Sequence, residues 1–356
     1  MWYKYCVGQS LVLKEIREKE YEILCKGRAI PLTQNYFYGE WQKAIGKKVW
    51  RYSMTNNGHV FGFFQVVKNS LLFGVSYMYI PHGPVVLGDI PVGLELSTEF
   101  GNFCLELCKK EDSVFLRFDP LYSPWSKVQP LAWGSSGVAK SLYDGNFQPK
   151  YEWVLDLMRG EDDILAGMKK VNRYTIRQAE KRGVEIEIID KNFGQHLDKF
   201  YELEKMTALR DAFAPNLREY YSAIFNECEM SRNAFMAIGR FNGEIVLINF
   251  HVMYGDTVFF LLSASEDSHR EVGYTYFAQW ETMKYAKKIG IKQYNFGAVI
   301  PDNNKYSFYK RWRGFSDFKK RFGGFMLEYS DFHDVIYSRF WYTLYCVRKI
   351  IGLFIF

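Results

Sequence analysis

The most constraining feature of this sequence is an order of secondary-structure elements that occurs twice. In the first half, a predicted helix within residues 30–48 precedes strand-like segments between Val49 and Val86, which are rich in β-forming residues and break at an Asn-Asn-Gly turn. A predicted helix from about Val92 to Lys110 and a strand from Ser113 to Asp119 follow. Helix, antiparallel strands, helix and strand together predict an α+β domain.

The same order restarts after residue 149. A strand at 151–157 leads into one long predicted helix, Glu161 to Arg182, with acidic residues in its first turn, basic residues in its last turn and a glycine as its stop. After a further helical region, Phe193 to Asn226, a three-strand meander, a helix and a strand complete the unit. Meander, helix and strand is the order of GNAT-type acyltransferase domains, so the chain is predicted to contain a duplicated unit of this kind.

Composition narrows the possible function classes. Hydrophobic residues make up 48% of the 356 residues and charged residues 24%, which indicates folded domains rather than a disordered chain. The net charge of +6 fits a partner that carries phosphates or an anionic membrane surface. Six cysteines are scattered, and no second pair or histidine completes the Cys104–Cys108 spacing. They are expected to be reduced thiols, and no metal site is expected.

The two ends of the chain bear on its location. Residues 1–20 lack the uninterrupted apolar core of a cleavable signal, and no apolar run approaches the roughly 18 residues of a membrane span, so a cytoplasmic protein is expected. The tail, residues 337–356, is aromatic and amphipathic and carries Arg339, Arg348 and Lys349. It is expected either to pack on the first domain or to lie at a membrane interface.

A basic aromatic segment, Arg313 to Gly324, is the main chemical feature. It places Arg313, Lys319, Lys320 and Arg321 among three phenylalanines and ends on a Gly pair. Cations held on a glycine-closed turn suit an anionic partner, such as a phosphate or a developing oxyanion. The alternative is a basic helix end followed by an ordinary Gly turn.

Five stretches of the chain, taken in order, resemble one family. They are Tyr36–Ala44 (YFYGEWQKA), Val114–Pro120 (VFLRFDP), Met168–Ile188 (MKKVNRYTIRQAEKRGVEIEI), Lys292–Val299 (KQYNFGAV) and Gly314–Tyr329 (GFSDFKKRFGGFMLEY). Together they are similar to the Fem family of peptidoglycan interpeptide-bridge aminoacyltransferases, FemA, FemB and FemX. In the fourth stretch, Asn295 stands where the family typically has Asp, and Ala298 stands where it has Gly.

The resemblance implies two tandem GNAT-like domains that share a cleft, with the C-terminal segment returning to the first domain. It implies a precursor-binding domain of residues 1–150 plus 325–356, and a catalytic, tRNA-side domain of residues 151–324. The sequence contains no sustained heptad stretch. It therefore resembles the shorter, FemX-like members, which lack a coiled-coil arm.

The activity implied by the resemblance is transfer of an amino acid from aminoacyl-tRNA to the side-chain amine of the peptidoglycan stem peptide. The acceptor would be a nucleotide-linked or a lipid-linked precursor. Because an aminoacyl ester is already activated, an amine can attack it directly. The protein then has to align the substrates, manage a proton and stabilise an oxyanion. No cofactor is implied beyond aminoacyl-tRNA as co-substrate.

Two residues are assigned to catalysis. Lys319 matches the lysine of the family's Phe-Lys motif, where its ammonium would stabilise developing negative charge; the alternative is a solvent-facing lysine. Asp119, at the end of the RFDP strand, could accept the proton of the attacking amine or hold the stem peptide. Its alternatives are a turn carboxylate ahead of Pro120 or a partner for Arg117, which lies on the same strand face.

Six residues are assigned to the precursor. Lys43 matches a family lysine that meets the precursor's phosphates, and its alternative is a helix-surface lysine. A further phosphate-binding arginine of the family falls at Asn216, which is a departure, so Arg210 or Arg218 is expected to supply the charge. The remaining assignments are Tyr294 and Phe318.

The tRNA is assigned to the basic helix that follows Met168. Arg173 and Arg177 share one helix face, and Lys169 lies one turn earlier on it. Lys320, in the basic aromatic segment, is the fourth assignment. Phosphate contacts by such residues give salt-dependent affinity that is independent of sequence. The alternative is a solvated amphipathic helix.

Two other functions stay open. An acyl-CoA-dependent GNAT enzyme would need a phosphate loop, and residues 269–275 offer Arg270 and Gly273 at the right spacing. Thr275 occupies the last position of that loop, where a side chain crowds the phosphate. The other possibility is a non-catalytic binder of nucleic acid or of a membrane surface.

Overall fold

The computed structural model of the protein has two compact units. It describes residues 11–28, 30–88, 96–120, 138–140, 148–302, 313–329 and 332–354. The first unit comprises residues 1–150 and 329–356, and the second unit comprises residues 151–328. Each unit contains one β-sheet with helices packed against it.

The first unit follows the predicted order of helix, meander, helix and strand. Its described elements up to residue 150 are β1 (Leu11–Glu15), α1 (Glu18–Cys25), α2 (Tyr36–Ala44), β2 (Val49–Asn56), β3 (His59–Ser70), β4 (Ser76–Ile80), β5 (Val85–Val86), α3 (Leu96–Lys110), β6 (Ser113–Phe118) and β7 (Val138–Lys140). Strands β2, β3 and β4 form the antiparallel meander, and β6 joins it parallel to β4. The Asn35 side chain caps α2 by accepting a hydrogen bond from the Phe37 N–H (3.0 Å).

The second unit repeats this plan with a longer helical insertion. Its elements are β8 (Tyr151–Asp156), α4 (Glu161–Gly167), α5 (Lys170–Lys181), β9 (Glu185–Ile189), α6 (Leu197–Asp211), α7 (Arg218–Ser231), β10 (Ala234–Phe241), β11 (Glu244–Tyr254), β12 (Thr257–Ser265), α8 (Tyr274–Lys288), β13 (Gln293–Ala298), α9 (Arg313–Lys320) and β14 (Phe325–Glu328). The sheet order is β14-β8-β13-β12-β11-β10-β9. The predicted three-strand meander, β10 to β12, is confirmed.

Strands β12 and β13 are parallel, and their pairing is short. It joins Thr257–Phe259 to Gln293–Asn295. Both strands continue past these residues, to Ser265 and Ala298. The backbone of β13 is also irregular there, because its register toward β8 shifts between Asn295 and Ala298. The pairing therefore ends before either strand does, at the carboxyl ends where parallel strands commonly present ligand-binding groups.

The two longest predicted helical segments are each interrupted. The helix expected from Glu161 to Arg182 breaks at Lys169, whose extended backbone (φ −60°, ψ 144°) allows its N–H to bond to the Arg321 carbonyl (3.0 Å). The region expected from Phe193 to Asn226 is a short 3-10 turn followed by α6 and α7. Helix α6 ends where Ala212 adopts a left-handed backbone (φ 55°). A tertiary hydrogen bond at Lys169 and a left-handed residue at Ala212 thus end helices that the sequence periodicity alone would continue.

The C-terminal segment returns to the first unit, as predicted. Its strand β15 (His333–Ile336) lies between β6 and β7 and is antiparallel to both. The final helix, α10 (Arg339–Phe354), packs Tyr342 and Tyr345 against Phe115 of β6. The predicted unit boundary needs one correction. Residues 325–328 belong to the second unit, because β14 pairs with β8.

A buried ion pair joins this returning segment to the sheet. Arg117 of β6 and Asp334 of β15 are cross-strand neighbours and form two hydrogen bonds of 2.7 Å each. Both side chains are almost fully inaccessible, and the Tyr342 hydroxyl donates a third hydrogen bond to the same carboxylate (2.7 Å). The predicted pairing of Arg117 with Asp119 is therefore wrong, because the bidentate partner of the guanidinium is Asp334.

The ion pair predicts a large effect of one truncation. Asp334→Ala should lower the free energy of unfolding in urea by about 3–5 kcal/mol, because it leaves the Arg117 charge buried without its partner. Asp198→Ala, which breaks the exposed pair between Asp198 and Arg218 (2.6 Å), is the matched control and should cost at most about 1 kcal/mol. Equal losses in the two variants would contradict this reading.

Candidate functional site

Lys319 is the buried cation of the basic aromatic segment. Helix α9 turns Ser316 and Lys319 inward, since residues three apart share a helix face, and leaves Arg313 and Asp317 exposed. Only 1% of Lys319 is exposed. Its Nζ donates a hydrogen bond to the Ala298 carbonyl (2.7 Å) and lies 3.7 Å from the centroid of the Phe315 ring. The predicted solvent-facing alternative is therefore wrong.

The amine lies where β12 and β13 are no longer paired. Gly297 has a positive φ (73°), and a Cβ built on it would be 3.8 Å from Lys319 Nζ and 4.0 Å from the Phe260 carbonyl of β12. The positive φ favours glycine at this point, where the strand bends just before the Ala298 carbonyl that binds the lysine. The site thus combines a cation with a backbone carbonyl at the end of β13.

Burial changes the acid–base behaviour of this amine. The pKa of Lys319 is well below its usual value, because burial removes water from the ammonium, and the nearby Glu152 carboxylate partly opposes that effect. Glu152 lies on β8 with 7% of its surface exposed and accepts a hydrogen bond from Asn295 Nδ2 (2.6 Å). When its ammonium form is removed from water in this way, a lysine donates a stronger hydrogen bond to a developing oxyanion than it would in solution.

The Gly pair after α9 has a packing explanation. Gly324 has φ 98°, and a Cβ there would come within 2.3 Å of the Val154 carbonyl; a Cβ on Gly323 would come within 3.0 Å of the Gly167 carbonyl. The Trp153 indole N–H donates to the Gly323 carbonyl (2.6 Å). The pair therefore allows the chain to pass close to β8 and α4.

The other residues of the basic aromatic segment have different surroundings. Lys320 donates to the Ile300 carbonyl (2.8 Å) and to the Asp302 carboxylate (2.5 Å). Phe318 is half-buried against the rings of Tyr276 and Phe322, with centroids 5.0 and 5.2 Å away. Lys319 is thus the lysine of this segment that binds the last residue of β13.

Tyr294 was assigned to the precursor, and the structure corrects that assignment. The side chain is fully buried in the core of the second unit, together with Phe296 and Phe322. Its hydroxyl donates to Gln279 Oε1 (2.5 Å) and lies 2.9 Å from His251 Nε2. A side chain enclosed in this way packs the sheet rather than contacting a ligand.

In the first unit, Asp119 closes a buried hydrogen-bond network. Its carboxylate accepts bonds from the Tyr79 hydroxyl (2.5 Å) and the His82 N–H (2.6 Å). Burial raises the pKa of Asp119 to about 7, although both hydrogen bonds lower it. The carboxylate holds the turn in which His82 has a positive φ (52°). The geometry fits a turn carboxylate, and the raised pKa also fits a group that exchanges a proton near neutral pH.

Lys43 lies in a charge cluster on α1, α2 and β2. Its Nζ contacts the carboxylates of Glu18 and Glu40, the latter at 3.2 Å. Arg51 also binds Glu40 (2.6 Å) and lies 4.5 Å from the ring of Tyr36. About a third of the Lys43 side chain is exposed. A phosphate would therefore have to compete with two carboxylates already held there.

The residues proposed to replace a missing arginine are paired in the structure. Arg210 binds Asp211 (3.0 and 3.1 Å) and lies near the Ser265 and Glu266 carbonyls. Arg218 binds Asp198. Asn216 is exposed, and its N–H donates to the Tyr221 hydroxyl (3.2 Å).

The basic helix α5 presents a mixed surface. Arg173 donates to three carbonyls at the end of α4, at 2.7 to 3.5 Å, so part of its hydrogen-bonding capacity stabilises the helix break. Arg173 and Arg177 line a groove of about 520 Å³ with Lys284 of α8. Three carboxylates share that groove, those of Asp162, Glu180 and Glu281. The local charge is therefore balanced rather than strongly positive. Lys169 is exposed beside this helix.

The possible phosphate loop of an acyl-CoA enzyme is packed against α5. Gly273 has φ 90°, and a Cβ there would come within 2.4 Å of the Thr175 side chain. Arg182 also donates to the Glu271 carbonyl (2.8 Å). The close approach of α5 accounts for the glycine, so its presence gives no support to a phosphate site.

Sequence reasoning missed Glu152 as a member of the Lys319 site. Its only signal is an acidic residue inside the otherwise β-forming stretch 151–157. Asn295 was noted only as a departure from a family pattern. The contact between them depends on the pairing of β8 with β13, which joins residues far apart in the chain. The two predicted catalytic residues, Lys319 and Asp119, lie in different units.

Comparisons with known proteins agree with this architecture. The model of the FemAB family matches residues 32–244 and 242–348. A lipid II:glycine glycyltransferase of Staphylococcus aureus is 24% identical over 207 residues, which cover 56% of this chain and 47% of that protein. The chain thus spans about half the length of the curated relatives it matches.

Two solved structures show the fold. The crystal structure of FemX aligns with a TM-score of 0.75 and 20% identity, over 94% of this chain and 99% of that one. A tandem GNAT protein from the clavulanic acid biosynthesis pathway aligns with a TM-score of 0.58 and 11% identity, over 92% of this chain and 99% of that one. The predicted α+β fold of two GNAT-like domains is confirmed.

The pKa of Asp119 predicts a pH-dependent difference in stability. Because the folded-state pKa (about 7) exceeds the ordinary value (3.8), the stabilisation by the protonated carboxyl is present below pH 4 and is lost as the pH rises to 7. Relative to Asp119→Asn, the wild-type protein should lose about 4 kcal/mol over that window, measured by urea unfolding. A difference that stays constant with pH would contradict the raised pKa.

Proposed function

Because the chain belongs to the FemAB family, we propose that it is an aminoacyltransferase that builds the interpeptide bridge of peptidoglycan. It would move an amino acid from aminoacyl-tRNA to the side-chain amine of the stem peptide. The name of the S. aureus relative, a lipid II:glycine glycyltransferase, supports this substrate class. The structural observation that carries the proposal is the buried Lys319 amine at the carboxyl end of β13, beyond the point where its pairing with β12 stops.

In this reaction the protein has to position the two substrates and stabilise the charge that develops on them. The neutral amine of the stem peptide attacks the ester carbonyl, an amide C–N bond forms, and the C–O bond to the tRNA ribose breaks. The Lys319 ammonium would donate to the oxyanion of the tetrahedral intermediate. The proton lost by the amine would pass to a group with a pKa near neutral, and Asp119 is the proposed acceptor. The departing ribose oxygen takes up a proton.

The substrate-binding roles follow the two units. We assign the precursor to the first unit through Lys43, with Arg210, Arg218, Asn216 and Phe318 of the second unit as further contacts. We assign the tRNA to the second unit, through Lys169, Arg177 and Lys320, with Arg173 mainly supporting the helix break. Aminoacyl-tRNA as co-substrate places the proposed reaction in the cytoplasm.

The acceptor proposed is lipid-linked, which would bring the protein to a membrane surface. Among the described residues, no helix has the length and hydropathy needed to cross a bilayer. Helix α10 instead exposes Phe340, Leu344 and Val347 at i, i+4 and i+7. Residues 335–356 contain no acidic residue and include Arg339, Arg348 and Lys349. Such a face suits peripheral contact with anionic lipid.

One experiment tests the central proposal. The protein is incubated with charged tRNAs and either a nucleotide-linked or a lipid-linked pentapeptide precursor, and the product is examined for a mass increase of one amino-acid residue. Parallel reactions contain acetyl-CoA in place of tRNA. Product that requires charged tRNA supports the proposal. Precursor binding without product from any charged tRNA, or turnover with acetyl-CoA alone, would overturn it.

Removing the Lys319 amine should affect chemistry more than binding. Lys319→Met, of similar length and without a charge, should lower kcat for aminoacyl transfer by about 100-fold or more, because the oxyanion loses its donor. The affinity for the precursor, measured by calorimetry, should change by less than about threefold. Lys292→Met, at an exposed lysine paired with Asp256, is the control and should keep full activity. An active Lys319→Met variant would remove Lys319 from the mechanism.

The exposed face of α10 predicts lipid binding that depends on apolar contact. The double variant Phe340→Ser/Leu344→Ser should reduce sedimentation with phosphatidylglycerol vesicles on the order of tenfold, because it removes apolar area that would enter the interface. Leu209→Ser, at a leucine on α6 that is more exposed than either residue, should have no effect. Identical behaviour of the two variants would show that α10 is not the contact.

A further inference from the structure

We infer that Glu152 and Asn295 form a positioning pair that sets both the orientation and the charge of the Lys319 amine. This inference rests on the proposed function for its effect on catalysis, but its physical content, the influence of one side-chain pair on another amine, can be measured without any substrate. Neither residue is proposed to touch a substrate, so both act through Lys319.

The pair is connected to the lysine by three hydrogen bonds and the backbone between Gly297 and Ala298. Glu152 accepts from Asn295 Nδ2 (2.6 Å), and Asn295 Oδ1 accepts from the Gly297 N–H (2.7 Å). That second bond holds Gly297 at its positive φ, immediately before Ala298, whose carbonyl accepts from Lys319 Nζ (2.7 Å). The irregular end of β13, which presents this carbonyl, is thus held by the side chains of the pair.

The strand register brings the carboxylate to the same place. Glu152 of β8 is the cross-strand partner of Ala298 of β13. Both Glu152 and Asn295 are buried, at 7% and 3% exposure. A buried carboxylate near a buried amine favours the ammonium form, since each charge replaces part of the water that the other has lost.

The other charged or titratable groups on α9, on β13 and just after α9 have other neighbours or face solvent. On α9, Lys320 pairs with Asp302, and Asp317 is exposed. Arg321, just after the helix, lies 3.3 Å from the Tyr276 hydroxyl of α8. On β13, the Tyr294 hydroxyl faces His251 and Gln279. Glu152, on β8, is the carboxylate that favours the charged form of Lys319.

An amide at position 295 suits this arrangement better than a second acid would. Asn295 uses its N–H₂ group toward Glu152 and its oxygen toward the Gly297 N–H, so both ends of the amide are employed. An Asp there would place two carboxylates in hydrogen-bond contact, and one would have to be protonated. The pair therefore needs one carboxylate and one amide, and in this chain the carboxylate is Glu152 on β8 and the amide is Asn295 on β13.

Exchanging the two functional groups separates charge from structure. Glu152→Gln removes the carboxylate, and the double variant Glu152→Gln/Asn295→Asp swaps amide and carboxylate across the same hydrogen bond. Glu328→Gln, an exposed acid on β14, the other neighbour of β8, is the matched control. Protein labelled with isotope at lysine Cε is titrated by NMR, and the Lys319 resonance is assigned by its loss in Lys319→Met.

Glu152→Gln should shift the Lys319 titration midpoint to lower pH by about one unit, because the ammonium loses its counter-charge. The swapped variant should return the midpoint to within about half a unit of wild type, and Glu328→Gln should leave it unchanged. The swapped variant keeps the charge count and the hydrogen bond, so it can still contradict the inference if Glu152→Gln does not fold. An unshifted midpoint in Glu152→Gln, or a swapped variant that folds with a low midpoint, would overturn the inference.

The transfer reaction provides the catalytic readout. If transfer requires the ammonium, the alkaline limb of the kcat profile should move to lower pH in Glu152→Gln by the same amount as the NMR midpoint, whereas a merely structural defect would lower kcat equally at every pH. Absence of transfer in the wild-type protein would refute the proposed function alone. In that case the NMR titration would still confirm or refute the role of the pair.

Discussion

The hydrogen bond from Lys319 Nζ to the Ala298 carbonyl requires a particular arrangement of the second sheet. It needs β12 and β13 to stop pairing before they end, so that a strand-end carbonyl is available to a side chain. It needs Gly297 at a positive φ to turn that carbonyl, and α9 to bring a lysine to it. The glycine pair after α9 then lets the chain pass close to β8 and continue as β14.

Buried charge is a recurring feature of the molecule, and each instance is compensated differently. Arg117 has a bidentate carboxylate partner, which is the most complete compensation and serves to hold β15 in the first sheet. The Asp119 carboxylate accepts hydrogen bonds from a hydroxyl and an N–H, but its pKa is still raised, so its charge is only partly compensated. Lys319 has one carbonyl, one aromatic ring and a carboxylate whose effect does not offset burial. A buried charge that is only partly neutralised belongs to a group that can change protonation or bind a new partner. A fully neutralised charge, such as that of Arg117, has a structural role.

The candidate site was partly predictable from sequence. Lys319 was identified through the motif that contains it, and its companions Lys320 and Arg321 could not be distinguished from it by residue type. Helical spacing alone does not say which face of α9 is buried. The assignment of Tyr294 failed for a related reason, since alternation along a strand does not tell whether the buried face lies toward a ligand or toward a helix. The break at Lys169 was missed because it depends on the Arg321 carbonyl, a residue far along the chain.

The sequence by itself determined the order of elements, the duplication and the family, because strand alternation, turn residues and motif spacing are local properties read along the chain. It also determined that Asn295 and Gly297 lie in one family-like stretch and Lys319 in another. Only the tertiary structure decided that Glu152, about 140 residues before Asn295 along the chain, would meet it across two antiparallel strands. Burial and the pKa of Lys319 likewise arise from what surrounds the amine rather than from the residues beside it in sequence.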